Sequence, residues 1–154
     1  YVTSSTTLPY GCCSLGFPPQ KIRTIYGAAK IYDTRSGEDP DFPKELLEDI
    51  ELKKLIDVGK ELGTTTGRTR KANWLNLNKL IEYVNLTGTT DLIISKLDVL
   101  EEINIFKVIV NDSVMEFSQI DELTLFLNYH LRKSCIYLRK ILYSDNPESV
   151  ASLT

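Results

Sequence analysis

The sequence predicts an α/β fold with a layered, mixed and mostly parallel sheet flanked by helices. Helical and strand-like hydrophobic patterns alternate along the chain, and no internal repeat is present. The apolar run 92–94 lies between turn signals, which is typical of a strand buried on both faces. With 154 residues, of which 42% are hydrophobic, the chain fits a single domain over 1–154.

The first half of the chain combines short predicted elements with polar loops. Residues 1–17 are rich in Thr, Ser and Gly, which predicts a loop. Prolines at 18 and 19 predict the start of a helix, because proline suits the first helical turn. The elements predicted from there are a helix over 20–29, a strand over 30–35, an acidic Pro/Gly loop over 36–43 and a helix over 44–62.

The second half of the chain has clearer periodicity. Apolar residues recur at helical spacing between 77 and 84, and Gly88 is placed as a C-cap. The elements predicted here are a helix over 74–86, the strand 92–94, paired strands over 105–110 and 114–117, a helix marked by apolar residues from 120 to 131, and a strand-like stretch over 135–143 closed by a turn over 144–147.

Composition and charge exclude several classes of function. The net charge of −3 gives no basic surface for a phosphate backbone, so we expect no nucleic-acid partner. No apolar run approaches the roughly 20 residues of a membrane helix, so we expect no membrane partner. Three cysteines, two of them adjacent, form neither a disulfide framework nor a zinc site, which favours the cytoplasm. Because the chain begins with Tyr1 in a Thr/Ser-rich run, we expect it to be part of a longer protein.

The loop 63–70 is the segment richest in groups that bind ligands. Gly63 and Gly67 let the backbone approach a ligand closely. Three consecutive threonines supply hydroxyl and N–H groups, while Arg68 and Arg70 supply planar forks for a carboxylate or a phosphate. This composition fits a site for a small dicarboxylate or a phosphate ester, and it fits a solvated basic turn between two helices equally well.

A second candidate site lies where the strand 92–94 ends. Lys96 and Asp98 follow that strand, and ligands of open α/β sheets dock at the carboxyl ends of strands. A carboxylate there can accept hydrogen bonds from the ring N1–H and the exocyclic amine of guanine, whereas adenine presents an acceptor at N1 and no amine at position 2. The lysine stem can lie along the base. Taken alone, the Lys-x-Asp spacing also fits a charged turn after a core strand.

Other polar or reactive residues receive structural interpretations. His130 lies beside an apolar helix stripe with no ligand partner at suitable spacing, so we expect it to be partly buried and structural. The adjacent Cys12 and Cys13 are expected to pack, since nothing nearby lowers a thiol pKa. Glu101 and Glu102 are expected to be solvated rather than catalytic.

Three segments, taken together and in order, resemble the adenylosuccinate synthetase family. Residues 1–5 (YVTSS) resemble the family's YVTSS segment. Residues 63–70 (GTTTGRTR), followed by Trp74 and Leu75, resemble its G-x-T-T-G-R-x-R loop and the W-L-D after it. Residues 95–100 (SKLDVL) resemble its T-K-L-D-V-L. The combination is far more specific than any one segment.

Weaker likenesses extend the resemblance from residue 1 to about residue 150. Residues 34–37 and 42–45 are similar to parts of the family's TRVGxGPFPTE, and residues 144–147 are similar to its terminal STGP turn. Ser36 departs from the pattern by replacing a valine, and Asp145 and Asn146 replace Thr-Gly.

The resemblance implies an activity, a fold and a set of ligands. Family members use GTP to phosphorylate the 6-oxygen of IMP, and the amine of L-aspartate then displaces that phosphate, with Mg²⁺ as cofactor, in purine biosynthesis. The resemblance also implies a homodimer and the C-terminal portion of the family's fold. The family's phosphate loop, catalytic Asp, general-acid His and magnesium ligands lie upstream of YVTSS. We therefore expect no catalytic and no metal-ligating residue in this chain, and no activity from it alone.

The resemblance assigns ligands to individual residues of this sequence. The residues expected to bind aspartate are Thr64, Thr65, Thr66, Gly67, Arg68, Thr69 and Arg70. The residues expected to bind IMP are Thr3, Gly37 and Arg68. The residues expected to bind GTP are Arg70, Lys96, Leu97, Asp98, Ser144 and Asn146.

Two alternatives stay open at this point. One is a viral-type relative that aminates a guanine nucleotide to supply diaminopurine, although that relative is expected to use an adenine donor, which Asp98 disfavours. The other is a non-catalytic nucleotide-binding fragment without a phosphate loop.

Overall fold

Helices and strands alternate in the computed structural model, which describes residues 11–12, 14–63, 67–146 and 148–151. The strands are β1 (Tyr26–Lys30), β2 (Tyr32–Arg35), β3 (Lys71–Asn76), β4 (Asp91–Ser95), β5 (Phe106–Val110), β6 (Ser113–Phe117), β7 (Lys140–Asn146) and β8 (Ser149–Ala151). The longer helices are α1 (Ile50–Gly59), α2 (Leu77–Thr87), α3 (Leu97–Ile103) and α4 (Ile120–Ser134), with short 3₁₀ helices at Pro19–Lys21 and Lys44–Glu48. Within these ranges, none of the helices has the length and apolarity needed to traverse a bilayer.

The first sheet is built around β4, which confirms the buried strand predicted over 92–94. Its order is β1–β4–β7–β8, and β4 runs parallel to both of its neighbours. Leu92 and Ile94, which lie on one face of β4, are fully buried, whereas Ile93 on the other face is half-buried, so burial is complete on only one face of the run. The register sets Lys30 beside Ser95 and Ser95 beside Ser144, so the carboxyl ends of the three parallel strands lie along one edge.

The second sheet has the order β2–β3–β5–β6. The β5–β6 hairpin confirms the predicted pairing across Asn111 and Asp112, which have φ of 48° and 61° as in a tight hairpin turn. β3 pairs parallel with β5 and antiparallel with β2. The predicted mixed α/β fold is therefore confirmed. The strands form two sheets, however, and parallel and antiparallel pairings are equally frequent among the described strands.

Side-chain and glycine caps fix the helix ends. The Asp49 carboxylate accepts hydrogen bonds from the N–H groups of Glu51 and Leu52 at 2.8 and 3.0 Å, which starts α1. The Asn76 side chain accepts one from Lys79 N–H at 3.1 Å, which starts α2. Gly88 ends α2 with φ of 65°, and this confirms the predicted C-cap.

A single cluster of buried apolar side chains joins the two sheets and the helices. Its largest fully buried members are Ile31, Tyr32, Leu52, Leu55, Leu77, Leu92, Ile94, Leu100, Val108, Leu123, Leu127 and Leu131. Ile31 separates β1 from β2, and its N–H donates to the Ser95 carbonyl at 2.9 Å. The chain therefore passes from the first sheet to the second within one residue.

The helix predicted over 20–29 is wrong. The prolines start only the 3₁₀ helix Pro19–Lys21, and Tyr26–Lys30 is a strand. Glycine and alanine do not favour strands, so β1 owes its form to pairing with β4. Gly27 is required there, because a Cβ at this position would lie 2.8 Å from Cγ2 of Thr89.

Four other features differ from the predictions. Trp74 and Leu75 belong to β3 rather than to the helix predicted over 74–86, because both are buried and the apolar pattern continues from strand into helix. The helix α3 was not predicted, since seven residues are too few to display helical periodicity. Residues 144–146 continue β7 instead of forming a turn, while 135–139 precede that strand. The helix predicted over 44–62 is interrupted at Asp49, whose backbone is extended.

Candidate functional site

The loop 63–70 is closed by backbone pairing on both of its limbs. Arg70 N–H donates to the Glu61 carbonyl at 2.9 Å, and Leu62 forms an antiparallel bridge with Thr69. Gly63 N–H donates to the Arg68 carbonyl at 2.8 Å. Gly67 turns the chain with φ of 62°, a conformation that favours glycine. Arg68, Thr69 and Arg70 are therefore held on the returning limb of a hairpin-like loop.

The structure describes only part of the predicted aspartate-binding set. Arg68 and Thr69 are exposed, whereas Arg70 is partly buried. Thr64, Thr65 and Thr66, which form the remainder of the set, lie outside the described residues. Arg70 is therefore less solvated than Arg68, because it has a specific buried partner.

That partner is Glu61, whose side chain is only 3% exposed. Lys30 Nζ donates to both carboxylate oxygens at 2.6 and 2.7 Å, Tyr32 Oη donates to Oε1 at 2.7 Å, and Arg70 Nη1 donates to Oε2 at 3.2 Å. Burial alone would raise the pKa of Glu61, but the hydrogen bonds from Lys30 and Tyr32 and the Lys30 charge outweigh it, so the pKa is lowered. Glu61 is therefore an ionised carboxylate inside a cage of donors.

Little in the sequence indicates this cluster. Lys30 and Tyr32 lie about thirty positions away from Glu61, at the junction of β1 and β2. One signal was available: Glu61 follows the C-terminal end of α1, where the helix dipole disfavours an acid. An acid in such a place needs a cationic partner, which Lys30 and Arg70 supply, and Tyr32 adds a neutral donor.

The second predicted site lies at the junction of β4 and α3. Lys96 has φ of 72°, in the left-handed region that non-glycine residues rarely adopt, and it turns the chain from strand to helix. Its Nζ donates to the Gly59 carbonyl at 3.4 Å. Leu97 is buried and Asp98 is exposed in the first turn of α3. The carboxylate of Asp98 is thus presented to solvent beside a strained backbone turn.

The ends of the parallel strands bring further predicted residues to this edge. Ser144 lies next to Ser95 in the sheet, so it is adjacent to the Lys96 turn. Its Oγ donates to the Asn146 carbonyl at 2.5 Å. The Asn146 side chain is held within the β7–β8 connection, where its Oδ1 accepts from the N–H groups of Glu148 and Ser149.

The predicted IMP-binding residues are described only in part. Thr3 lies outside the described residues. Gly37 is exposed in the loop after β2, which the Arg35–Asp39 ion pair closes at 3.0 Å. Arg35 pairs in the sheet with Lys71, the residue after Arg70. The loop after β2 and the loop 63–70, called the arginine loop below, therefore leave the same end of the β2–β3 pair.

Two clefts lie apart from the loop 63–70 and from the Lys96 turn. The larger, of about 720 Å³, has apolar walls that include Ile22, Ile25 and Leu86. The smaller, of about 200 Å³, is lined by Asp33, Asp41 and other side chains. Burial raises the pKa of Asp33 to about 6, and the hydrogen bond from Asn76 N–H offsets this only in part. Among the described residues, none of those predicted to bind a ligand lines either cleft.

The remaining sequence predictions can be placed briefly. His130 stacks against Phe126 with ring centroids 4.3 Å apart, as expected of a structural histidine. Cys12 is buried, while Cys13 lies outside the described residues. Glu101 and Glu102 are exposed on α3, as expected. Within the described ranges, no three His, Cys, Asp or Glu side chains converge as a metal site would require.

The fold and the two loops define a class of protein. A closed loop with two arginines lies beside a strand-end turn that presents a carboxylate, and this combination suits an enzyme segment that binds nucleotides and small carboxylates.

Comparisons with known proteins narrow the class to one family. The sequence profile described as adenylosuccinate synthetase matches residues 1–129. The adenylosuccinate synthetase of Methanococcoides burtonii is 43% identical over 111 residues, which are 71% of this chain and 26% of that protein. The adenylosuccinate synthetase of Lodderomyces elongisporus is 50% identical over 103 residues, 66% of this chain and 24% of that protein. The chain belongs to the adenylosuccinate synthetase family.

A solved structure supports the fold. The fully ligated adenylosuccinate synthetase from Plasmodium falciparum superposes with a TM-score of 0.73 over 93% of this chain and 43% of that one, at 18% identity. The chain spans about a quarter of the length of the curated relatives that it matches.

Proposed function

We propose that this chain forms the aspartate-binding and guanine-binding part of an adenylosuccinate synthetase. The reaction is the GTP-dependent joining of IMP and L-aspartate to give adenylosuccinate. In this proposal the chain supplies binding residues, while the catalytic acid and base and the Mg²⁺ ligands belong to residues outside it. The enzyme is a ligase of purine biosynthesis, and we propose that it acts in the cytoplasm as a homodimer.

The observation that carries the proposal is the placement of the two loops on one segment. Arg70 is bonded to Glu61, and Lys96 is bonded to Gly59, two residues earlier in the chain. An arginine fork for the aspartate carboxylates therefore lies close to a carboxylate suited to guanine. A synthetase that joins aspartate to IMP with GTP as the co-substrate needs both groups in one active site.

The strained backbone at Lys96 supports the guanine-binding role. A left-handed conformation costs a non-glycine residue about 1–2 kcal/mol, and such strain is concentrated at functional sites. The turn exposes Asp98 while Leu97 packs into the core. We therefore assign Asp98 to the N1–H and amine of guanine and Lys96 to the face of the base, with Ser144 beside them.

The other proposed contacts follow the arginine loop. We assign residues 64–70 to aspartate, with Arg68 and Arg70 meeting its carboxylates. Arg68, Gly37 and Thr3 are assigned to IMP, and Arg70 and Asn146 add to the GTP site. The names of the matched relatives favour IMP as the acceptor over a guanine nucleotide, so the viral-type alternative is not favoured.

The test of the proposal exchanges the base specificity at Asp98. Asp98→Asn keeps the shape but replaces an acceptor by a donor, which opposes a donor of guanine. Hydrogen bonds to a charged group contribute about 1.5–3 kcal/mol, so kcat/KM for GTP should fall about 10- to 150-fold. Xanthosine triphosphate carries a carbonyl at position 2 that can accept the new donor, so its kcat/KM should rise.

The measurement uses the full-length protein that carries this chain, with both nucleotides. Asp121→Asn is the matched control, because Asp121 is likewise an exposed acid in the first turn of a helix, α4. The control should leave the nucleotide preference unchanged. If the ratio of kcat/KM values does not move toward xanthosine triphosphate in Asp98→Asn, the guanine assignment is wrong.

A further inference from the structure

Glu61 is a buried charge whose position in the fold calls for a reason. Burying a carboxylate is unfavourable unless it is paired and hydrogen-bonded, and replacing a buried ion pair by apolar residues is often neutral or stabilising. Glu61 also follows the C-terminal end of α1, where the helix dipole disfavours it. Stability alone therefore gives a weak account of this residue.

The contacts of Glu61 connect the sheets to the arginine loop. Lys30 and Tyr32 come from the junction of β1 and β2, which passes between the two sheets, and both are bonded to the carboxylate. Tyr32 is 1% exposed, so the carboxylate is anchored in the core. The same carboxylate accepts a hydrogen bond at Oε2 from Arg70 Nη1, at 3.2 Å.

Arg70 is joined to Glu61 at two levels. Its backbone N–H donates to the Glu61 carbonyl at 2.9 Å, and its guanidinium meets the Glu61 side chain. The backbone bond fixes where the loop ends, and the side-chain bond fixes the direction of the fork. The Arg70 side chain is still 31% exposed, so the guanidinium is oriented without being enclosed.

We propose that Glu61 is a positioning residue that orients Arg70 for the carboxylate of aspartate. The inference rests on the proposed function, because it assumes that Arg70 meets that substrate. Glu61 does not itself touch the substrate. It acts by holding the guanidinium in one direction before aspartate arrives, and a small misplacement of a binding group is sufficient to weaken a reactive complex.

The main test is Glu61→Gln in the full-length protein that carries this chain. The amide keeps the shape but no longer attracts Arg70 as a charge, so the guanidinium loses its fixed direction. We expect KM for aspartate to rise at least about tenfold, while KM for IMP changes less than about twofold. An unchanged KM for aspartate in a folded Glu61→Gln variant would overturn the inference.

A double-mutant cycle separates positioning from a general structural role. If Glu61 acts through Arg70, then Glu61→Gln should raise KM for aspartate much less in an Arg70→Lys background than in the wild type. Equal effects in both backgrounds would contradict the inference. Glu61→Asp serves if the glutamine variant fails to fold, because it keeps the charge but withdraws it from Arg70 by one methylene. It should raise KM for aspartate about threefold, and no change would count against the inference.

Two control variants identify which idea fails. Asp91→Asn alters another buried carboxylate, bonded to Thr90 and near Arg139 at the opposite end of β4, and should leave KM for aspartate unchanged. Arg68→Lys removes a fork assigned directly to aspartate and should raise that KM whatever Glu61 does. If neither Arg68→Lys nor Glu61→Gln has an effect, the aspartate assignment of the loop fails. If only Arg68→Lys has an effect, the positioning role alone fails.

Discussion

Gly59 lies at the C-terminal end of α1 against the hydroxyl of Tyr32. A Cβ on Gly59 would lie 2.6 Å from Tyr32 Oη and 3.5 Å from its Cζ. The hydroxyl donates to Glu61 Oε1 at 2.7 Å, and the Tyr32 side chain is fully buried. Because the Tyr32 side chain is packed on all sides, we expect Gly59→Ala to displace the Tyr32 hydroxyl from Glu61.

The change in the free energy of unfolding caused by Gly59→Ala combines two destabilising contributions and one stabilising contribution. A hydrogen bond to a charged group contributes about 1.5–3 kcal/mol. Forcing an extra methyl group into a packed core costs about 1–3 kcal/mol. Alanine gains about 1 kcal/mol over glycine in a helix. We therefore expect Gly59→Ala to lower the free energy of unfolding by about 2–5 kcal/mol.

Removing the hydroxyl gives a direct check. In a Tyr32→Phe background the nearest obstacle to the alanine methyl group is gone, so Gly59→Ala should then change the free energy of unfolding by less than about 1 kcal/mol. Urea denaturation followed by the fluorescence of Trp74, the single tryptophan, measures both effects. Gly37→Ala is the control, because a Cβ there meets nothing within 4 Å. The steric argument is refuted if Gly59→Ala is equally destabilising with tyrosine and with phenylalanine at position 32.

The remaining predictions concern Asp33 and Lys60. Burial raises the pKa of Asp33 to about 6, so the folded protein binds the Asp33 proton more tightly than the unfolded chain does. The resulting stabilisation is fully present below about pH 3.9 and is lost as the pH rises through 6. Asp33→Asn should therefore raise the free energy of unfolding by about 1–3 kcal/mol at pH 8 and by little at pH 4, and urea denaturation showing the same difference at both pH values would contradict this. Lys60 ends α1 with φ of 50°, so Lys60→Gly should stabilise the protein by about 0.5 kcal/mol. Lys54→Gly, within the same helix, should destabilise it by about 1 kcal/mol in the same assay, and the same sign for both would count against the strain argument.

The elements predicted well from the sequence are those whose form is set locally. The turn at Asn111 and Asp112, the C-cap at Gly88 and the apolar stripe of α4 each depend on residues close in the chain, and all three are present. The β1 strand was missed because four of its five residues, Gly27 to Lys30, have no strand preference and form a strand through pairing with β4. Tertiary pairing of this kind leaves no periodic signal within the strand itself.

The candidate site divides in the same way. The arginine loop and the Lys-x-Asp turn were predicted because their residue types are dense and contiguous. Glu61 was missed because its partners Lys30 and Tyr32 are distant in sequence, and only the fold brings them to the carboxylate. The support beneath a binding residue is therefore harder to predict than the binding residue itself.

The parallel pairing of β4 with β1 and with β7 also affects how the chain folds. β4 pairs with strands that lie about 65 residues before it and about 50 residues after it, so two long loops must close before these contacts form. The β5–β6 hairpin needs only a two-residue turn, which closes in microseconds in simple hairpins. The hairpin can therefore form early, whereas the edge that carries Lys96 and Ser144 is assembled only when distant parts of the chain have met.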